Sequence, residues 1–479
     1  MGRMMRTAHR RMPGSSGCRQ LAVAICLLGG VSGCTVDTPR PNVLLVSIDT
    51  LRADHVGSHG YRRETTPHLD ELAREGVRFT RAFTTASWTL PAHMSIMTSR
   101  YPHQHGVQST KQRLDDAIPT LAQLFRDSGY QTGAIVSWFF VGKRYGFDRG
   151  FESFEELLPR RHNLAGARRG EQVVDAALAW LEARDSRRPF FLFVHLFDPH
   201  LNYDPPEPYA KLFGGDSPIP DAGRYERLRP YIQGLQREPR RIPAAELEQV
   251  VALYDGEVRY ADDQLGRLLA ALARRGQADR TVVLVTSDHG EELDDHGSME
   301  GHQWTLYDEV LHVPLILRTP DGPRGRTVDA LVEILDIAPT LLALAGIDPP
   351  PDFRGRSLLP WLADREPGSK DRLVYSQIER FNSRSAVRGD RYKLIHTRAR
   401  GKSASGTPNR ERFELYDLRS DPGEHENLYA ARPELVASLR AALAHWESDG
   451  FAGERPSDLP EPAFSEEERA QLERLGYLE

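Results

Sequence analysis

The hydrophobic residues of the chain alternate between short continuous runs and longer amphipathic stretches. The continuous runs have strand length and lie at 42–48, 133–137, 190–196, 281–287 and 313–317. Helical spacing of apolar residues occurs between them, at 67–76, 121–129, 171–183, 247–274 and 334–345. Continuous apolar strands that alternate with helices are typical of a mainly parallel sheet covered on both faces. The pattern therefore predicts an α/β fold whose large domain is a mainly parallel sheet flanked by helices.

The pattern changes near the C-terminus. Short segments with turn residues between them lie at 373–377, 385–388, 392–397 and 413–418, and an amphipathic stretch follows at 433–448. They predict a smaller α+β subdomain with an antiparallel sheet and one helix. The polar stretch 398–412 reads as an exposed loop. We place the large domain at 41–365 and the C-terminal subdomain at 366–479.

The first 34 residues differ from the rest of the chain. Basic residues extend to Arg19, an apolar stretch covers 21–31, and Ser32-Gly33-Cys34 follows. This stretch is shorter than the roughly 20 residues that a membrane-spanning helix needs, so residues 1–34 are predicted to be a cleaved signal peptide. Small residues before Cys34 resemble a bacterial lipobox, which implies an exported protein of the cell envelope, periplasmic or on the cell surface, lipid-anchored at Cys34. The alternative is a small-residue cleavage site with an incidental cysteine.

Composition narrows the function. The 479 residues are 39% hydrophobic and 27% charged, with a net charge of −6 and no long run of one sign. This is an ordinary globular composition, and nothing in it indicates a nucleic-acid partner. The three cysteines, Cys18, Cys26 and Cys34, all lie in the predicted leader. The mature body therefore has no cysteine for a disulfide or a thiolate metal site.

Polar residues gather at the ends of three predicted strands. Asp49 follows the run 42–48, Asp288 and His289 follow 281–287, and the segment from His195 to His200 closes 190–196. Because functional groups collect at the carboxyl ends of parallel strands, these side chains are expected to converge. Carboxylates and imidazoles together suit a divalent metal. Asp49 alone could equally be a helix N-cap, but three such strand ends are harder to explain in that way.

Several segments, in order along the chain, resemble those of the sulfatases, a branch of the alkaline-phosphatase superfamily. They are residues 41–54, 65–70, 91–102, 198–200, 286–290, 306–309, 336–340 and 415–424. The resemblance covers nearly all of the mature chain. It implies an alkaline-phosphatase-like large domain and a metal-dependent hydrolase of sulfuric esters.

The catalytic motif of that family is Cys or Ser, any residue, Pro, any residue, Arg, before a helix that ends near Thr-Gly-Arg. Counting back from Thr98-Ser99-Arg100 aligns the motif with residues 89–93, Thr-Leu-Pro-Ala-His. Thr89 therefore takes the nucleophile position and His93 that of the motif's arginine. Formylglycine is made from cysteine or serine, so none is expected here. The structural alternative for Thr89 is a helix N-cap, and both roles can coexist because helix N-termini favour anions.

The resemblance also implies one divalent metal, bound by Asp49, Thr89, Asp288 and His289. Many sulfatases have paired aspartates where this chain has Asp49-Thr50, and they often have Asp-Asn where it has Asp288-His289. Exchanging a carboxylate for an imidazole moves the preference from calcium towards zinc or manganese. Such a metal would lower the pKa of a threonine hydroxyl enough for nucleophilic attack.

In the sulfatases a lysine and a histidine bind the sulfate group, and the aligned residues here are Ser137 and Phe139. The contact from those two side chains to the anion is therefore missing. Lys143 and Arg144 are the candidates to replace it. His200 and His302 match positions that contact the anion or protonate the leaving group, a role suited to imidazole. The alternative for each is a structural loop histidine. For three other histidines a structural role is the better interpretation: His105, His296 and His312.

Three functions are consistent with these residues. The first is hydrolysis of sulfate esters, or of similar phosphate and phosphonate esters, through a covalent intermediate on Thr89. The second is a metal-dependent phosphoester hydrolase or phosphotransferase acting on an envelope lipid or glycan, and the third is a non-catalytic binding protein on the same scaffold. The expected partner is an anionic ester of a glycan, lipid or small molecule, with the membrane involved only through the lipid anchor.

Overall fold

Two β-sheets organise the part of the chain that the computed structural model describes. The described residues are 40–157, 169–214, 219–232, 241–297, 299, 301–363, 371–380, 383–399, 410–449, 464–466 and 469. The predicted signal peptide at 1–34, with Cys34, lies outside them.

The larger sheet has eight strands. They are β1 Asn42–Ile48, β2 Val77–Phe83, β3 Gln131–Val136, β4 Ser153–Glu156, β5 Phe190–Leu196, β6 Thr281–Thr286, β7 His312–Arg318 and β8 Arg326–Glu333. Their order is β4-β3-β5-β1-β6-β7-β2-β8. Strand β7 is antiparallel to both of its neighbours, β6 and β2, and the other neighbouring pairs are parallel. The predicted mainly parallel sheet is confirmed.

Helices cover both faces of this sheet. Along the described chain the helices are α1 Pro67–Glu75, α2 Thr89–Thr98, α3 Pro102–His105, α4 Leu121–Asp127, α5 Gly170–Ala183, α6 Tyr225–Leu228, α7 Ala244–Arg274, α8 Asp308–Leu311, α9 Ile337–Leu344, α10 Leu359–Leu362 and α11 Pro433–Ser448. In β1 the side chains alternate between two buried clusters. Val43 and Leu45 pack with α2, α4 and α9, whereas Leu44 and Val46 pack with α1, α5 and α7. This two-sided burial explains why the strand sequence is continuously apolar.

Three strands of the large sheet, β2, β4 and β8, are missing from the strands that the sequence pattern predicts. Strand β2 has the sequence Val-Arg-Phe-Thr-Arg-Ala-Phe, and its polar side chains are only partly buried. Strand β4 has four residues, none of them fully buried. Strands of this kind lie towards the sheet edges, where one face or one end reaches solvent, so they lack a continuous apolar run.

The smaller sheet is antiparallel and has four strands. They are β9 Val374–Glu379, β10 Ser383–Arg388, β11 Tyr392–Thr397 and β12 Arg412–Asp417, in the order β12-β11-β10-β9. Leu439, Leu443 and Trp446 of α11 pack on one face of this sheet. The antiparallel sheet and its helix are as predicted, the domain boundary near 365 stays a prediction, and residues 400–409 of the predicted loop lie outside the described chain.

The small sheet packs against the segment that leads into α2. Ser376 Oγ of β9 donates to the carbonyl of Thr84 (2.6 Å), and the Gln377 backbone N–H donates to the carbonyl of Thr85 (2.9 Å). Near the start of β9, Arg372 binds Glu333 (3.0 Å) and Asp336 (2.7 Å), and all three side chains are buried. These contacts fix the C-terminal part beside the start of α2. Within the described residues, none of the helices combines the length and apolar character needed to cross a bilayer.

Candidate active site

A buried group of two carboxylates and an imidazole lies at the carboxyl edge of the large sheet. Strands β1 and β6 are parallel neighbours, with Ser47 paired to Thr286, so Asp49 and the pair Asp288-His289 emerge side by side. Their ligand-type atoms all lie within 4.8 Å of one another, and the three residues are fully buried. His289 Nε2 is 3.2 Å from Asp288 Oδ2 and 3.8 Å from Asp49 Oδ1.

Thr89 joins this group from the start of α2. Its Oγ1 lies 3.4 Å from His289 Nε2. The N-cap position of the helix belongs to Trp88, and Thr89 is the first helical residue, so its hydroxyl is not the cap. The four residues predicted as ligands, Asp49, Thr89, Asp288 and His289, therefore lie together around one point.

The donor atoms suit one divalent cation. Asp288 Oδ1 accepts the backbone N–H groups of Thr50 (3.3 Å) and His289 (3.0 Å), and Asp49 Oδ2 lies 3.2 Å from His195 Nε2. Within the described chain, the other oxygens, Asp49 Oδ1 and Asp288 Oδ2, are buried without a hydrogen-bond partner. The His289 Nδ1–H donates to the Gly290 carbonyl (2.9 Å), which leaves the Nε2 lone pair for a ligand bond. Two open carboxylate oxygens, one imidazole nitrogen and one hydroxyl form a mixed oxygen and nitrogen set of the kind that zinc or manganese accepts.

The electrostatics of the group are consistent with a cation there. Burial raises the pKa of Asp49, and the nearby charge of Asp288 raises it further. Burial would also raise the pKa of Asp288, but His289 and then His93 lower it below its usual range. Burial lowers the pKa of His289, but Asp288, together with Asp49 and the Gly290 carbonyl, outweighs burial and raises it to about 9. Two carboxylates this close and this deeply buried can both be ionised only if positive charge lies between them.

His93 lies beneath Thr89. Its Nδ1–H donates to the Thr89 carbonyl (3.0 Å), and its Nε2 accepts from Ser47 Oγ (2.9 Å), an assignment that uses both ring nitrogens. The Nδ1 atom is also 3.3 Å from Asp288 Oδ2. Burial lowers the pKa of His93 to about 3, so its ring is neutral. These contacts favour a role for His93 in orienting the nucleophile over a role in binding the anion.

His200 and His302 extend the group outwards. The His302 ring stacks on His289 with centroids 4.4 Å apart, and the His200 ring is 4.9 Å from His302. Burial lowers the pKa of His200 to about 3, and it also lowers that of His302 well below its usual value. Both side chains are therefore neutral imidazoles next to the predicted metal ligands.

Two residues of the site, His195 and Glu291, are not among the predicted catalytic and metal residues, although the sequence pattern does place His195 near a strand end. His195, the second-to-last residue of β5, contacts Asp49, and Glu291 Oε1 lies 3.0 Å from His302 Nδ1. The sequence signal for His195 is a histidine at the end of an apolar strand, level with Ser47 of β1 in the sheet register. Glu291 follows the Asp-His-Gly segment directly. The contact that each of these residues makes could be recognised only once its neighbour across the sheet or loop was known.

Three positively charged side chains that could contact a bound anion lie at different places in the structure. Lys143 is exposed, with Nζ 5.9 Å from the centroid of the Phe154 ring, and Arg144 lies over Phe464 at 4.4 Å. Arg380, in the turn between β9 and β10, lies over the ring of Trp88 at 4.5 Å.

The remaining histidines make structural contacts. His105 Nδ1 accepts the backbone N–H of Val107 (3.1 Å), and His312 Nε2 donates to the Thr80 carbonyl (2.8 Å). His296 contacts Glu309 (2.8 Å) and lines a polar cavity of about 510 Å³ between the loop after β6 and the small sheet. Arg384 of β10 lines the same cavity.

The fold and the site geometry define an α/β enzyme of the alkaline-phosphatase superfamily. The sequence matches the family model described as Sulfatase over residues 41–347, and the one described as N-sulphoglucosamine sulphohydrolase, C-terminal, over residues 296–448. The chain therefore belongs to the sulfatase family and is a hydrolase of that family.

Characterised relatives span most of the chain. An N-acetylglucosamine-6-O-sulfatase of Bacteroides thetaiotaomicron is 25% identical over 476 residues, covering 82% of this chain and 83% of the relative. The multifunctional alkaline phosphatase superfamily protein PehA of Trinickia caryophylli is 28% identical over 495 residues, covering 84% of this chain and 93% of the relative.

Solved structures share the fold. One, in complex with its substrate D-glucosamine-2-N,6-O-disulfate, has a TM-score of 0.72 at 22% identity and covers 87% of this chain and 100% of its own. The phosphonate monoester hydrolase of Agrobacterium radiobacter has a TM-score of 0.67 at 23% identity, with the same coverage of 87% and 100%.

Proposed function

We propose that this protein hydrolyses sulfuric esters or chemically similar phosphate and phosphonate esters, with one divalent metal and with Thr89 as nucleophile. The observation that carries the proposal is the position of Thr89 Oγ1, 3.4 Å from His289 Nε2, beside the open carboxylate oxygens of Asp49 and Asp288. A buried hydroxyl at the start of a helix, next to a cation site, is suited to attack an anionic ester.

Asp49, Thr89, Asp288 and His289 would hold the metal, which when bound supplies Lewis-acid activation of the hydroxyl and charge neutralisation of the ester. Thr89 Oγ loses its proton and forms a bond to the sulfur or phosphorus atom, and the bond from that atom to the alcohol oxygen breaks. The departing oxygen takes a proton. Water then attacks the same atom and loses a proton, the bond from that atom to Thr89 Oγ breaks, Oγ takes up a proton to restore the hydroxyl, and the free anion is released.

The other residues of the site serve this cycle. His93 holds the Thr89 backbone through its carbonyl and ties it to Ser47. His200 and His302 are the side chains next to His289 that can carry the proton in each step, and Glu291 orients His302 by hydrogen bonding its Nδ1.

Relatives support the substrate class. The names of two of them specify sulfated amino sugars, an N-acetylglucosamine-6-O-sulfatase and a protein bound to D-glucosamine-2-N,6-O-disulfate. A sulfated glycan is accordingly the first substrate to test.

Phosphate and phosphonate esters are the second candidate. The specific observation in their favour is the ligand set itself, because Thr89 cannot become formylglycine and Asp288-His289 brings an imidazole to the metal. A phosphonate monoester hydrolase shares the fold at a TM-score of 0.67, which adds a structural precedent.

The test is a panel of esters assayed with the protein loaded with zinc, manganese or calcium. It includes 4-nitrophenyl sulfate, 4-nitrophenyl phosphate, a phenylphosphonate monoester and N-acetylglucosamine-6-sulfate. Thr89→Ala should lose at least about 10³-fold in kcat, since a covalent route through the nucleophile is removed, and Thr89→Ser should retain part of it. Mass spectrometry of acid-quenched protein should detect the sulfated or phosphorylated residue on the Thr89 peptide.

The same panel separates the alternatives. Full activity of Thr89→Ala on every ester would refute the nucleophile. A product formed on an added alcohol in place of free anion would identify a transferase. A protein that binds the metal and turns over none of the esters would be a binding protein on this scaffold.

We also propose export and lipid attachment at Cys34, on the signal and lipobox pattern of residues 1–34 alone. Labelling with a fatty-acid analogue in a bacterial host should mark the protein and fail with Cys34→Ala. Equal labelling of both would refute the anchor.

A further inference from the structure

The end of β3 offers no cation to a bound anion. Ser137, which follows β3, donates its hydroxyl to the His195 carbonyl (2.8 Å), and Phe139 is a buried aromatic residue. Sulfate and phosphate groups carry negative charge on oxygens that a metal alone does not fully contact. A positively charged side chain is therefore expected from elsewhere in the molecule.

Arg380 reaches the site from the C-terminal part of the chain. It directly follows β9, and its guanidinium carbon lies 4.5 Å from the centroid of the Trp88 ring. Trp88 is buried and directly precedes Thr89, so a cation on its ring lies beside the start of the nucleophile helix. Arg380 thus lies against the residue that directly precedes Thr89.

The fold holds this position firmly. The hydrogen bonds from Ser376 and Gln377 to the carbonyls of Thr84 and Thr85 attach β9 to the segment that leads to Trp88. The same strand that ends at Arg380 is therefore fixed to the loop that ends at Thr89. The cation–π contact with the indole ring further restrains the position of the guanidinium.

We propose that Arg380 binds the anionic group that is transferred to Thr89, and that it supplies the cationic contact that Ser137 and Phe139 cannot make. The inference rests on the proposed function and names the residue that would contact the sulfate or phosphate oxygens. A guanidinium suits this role because its planar set of donors matches two oxygens of a sulfate or phosphate group at once.

The experiment measures inorganic phosphate binding to the full, metal-loaded protein by isothermal titration calorimetry. Arg380→Gln should weaken phosphate binding about ten-fold or more, the loss typical of a hydrogen bond to a charged group. Arg380→Lys keeps the charge without the planar donors and should fall between the wild type and Arg380→Gln. In steady-state assays the same variants should raise KM for the ester. Their melting temperature and metal content should stay close to those of the wild type.

Two further variants each remove a cation elsewhere: Arg384→Gln is the matched control, and Lys143→Gln tests the rival candidate for the anion contact. Arg384→Gln changes the next arginine of the same hairpin, which lines the neighbouring cavity, and Lys143→Gln removes the exposed lysine over Phe154. Both should bind phosphate as the wild type does.

The proposal is overturned if Arg380→Gln binds phosphate like the wild type, if Lys143→Gln shows the loss instead, or if the metal-loaded wild type binds no phosphate. Should Arg380→Gln fail to fold, unchanged affinity in Arg380→Lys overturns it as well. Phosphate binding that depends on Arg380 in a protein that hydrolyses no ester would refute only the proposed function.

Discussion

Replacing Asp49 by asparagine should act differently on two properties of the protein. One is the stability of the metal-free fold, and the other is the stability gained when metal binds. Asp49 and Asp288 are both fully buried, and their open oxygens lie within the 4.8 Å group that includes His289. The Asp49→Asn change removes one ligand and one like charge at nearly constant volume, and an amide oxygen can keep the 3.2 Å contact to His195. The metal-free variant should therefore be at least as stable as the metal-free wild type, whereas the gain on adding metal should disappear.

The size of that gain follows from ligand binding to the folded state. Metal at about 100 times its dissociation constant stabilises the fold by about 2.7 kcal/mol. With an unfolding entropy of about 2.1 cal/mol/K per residue, a chain of 479 residues has about 1 kcal/mol/K in total. Metal should then raise the melting temperature of the wild type by about 3 °C and that of Asp49→Asn by much less.

The assay is differential scanning calorimetry of chelator-treated protein, before and after zinc or manganese is added, with metal content measured on the same samples. Asp263→Asn is the matched control, because Asp263 belongs to a second group of one histidine and two aspartates whose ligand atoms also lie within 4.8 Å. This control should keep the full rise. The reasoning is refuted if Asp49→Asn shows the wild-type rise, or if Asp263→Asn loses it.

Three further predictions test the surroundings of the site. Gly290→Ala should displace His289, because an added Cβ would lie 1.9 Å from the Glu309 carbonyl oxygen. We expect the free energy of unfolding to fall by about 1–3 kcal/mol and metal binding to weaken. A wild-type melting temperature with full metal content would contradict this. Burial lowers the pKa of His105 to about 3, so the stability from its neutral ring is complete above the unfolded value of 6.5 and is lost as pH falls from 6.5 towards 3. At pH 5 the loss of stability is about 2 kcal/mol. In urea unfolding, the free energy of unfolding should therefore fall less between pH 7 and pH 5 for His105→Gln than for the wild type. Equal falls in the two proteins would refute the assignment. Arg372→Leu leaves Glu333 and Asp336 buried without their cation and should cost about 3–5 kcal/mol in urea unfolding, and a loss below about 1 kcal/mol would show that the ion pair is not needed.

Much of the site could be predicted from local sequence because strand ends are local features. A buried strand must be apolar on both faces, so the first polar residue after it marks its end, as Asp49 and Asp288 do. Parallel neighbours then bring those ends together without any further information. This is why β1, β5 and β6 and the ligand-type residues after them are apparent in the sequence.

Contacts between distant segments could not be predicted in this way. The antiparallel direction of β7 depends on the path of the loop between 288 and 311, which carries no periodic pattern. His195 is apparent near the end of an apolar strand, but its contact with Asp49 depends on the register of β5 with β1. Arg380 lies 291 positions after Thr89 in the numbering, and its contact with the neighbouring Trp88 depends on the packing of β9 on Thr84 and Thr85.

The threonine at position 89 also constrains how the proposed cycle ends. A threonine has a single hydroxyl, so an ester formed on it has no second oxygen on the same carbon through which to expel the anion. It must be opened by attack on the sulfur or phosphorus atom itself, and the attacking water must then lose a proton close to that atom. Two neutral imidazoles, His200 and His302, lie beside His289, and Glu291 holds His302 in place. On this reasoning the two histidines matter most for the second half of the reaction, in which the ester on Thr89 is cleaved. An alcohol that displaces the water could attack the same sulfur or phosphorus atom and give a transfer product.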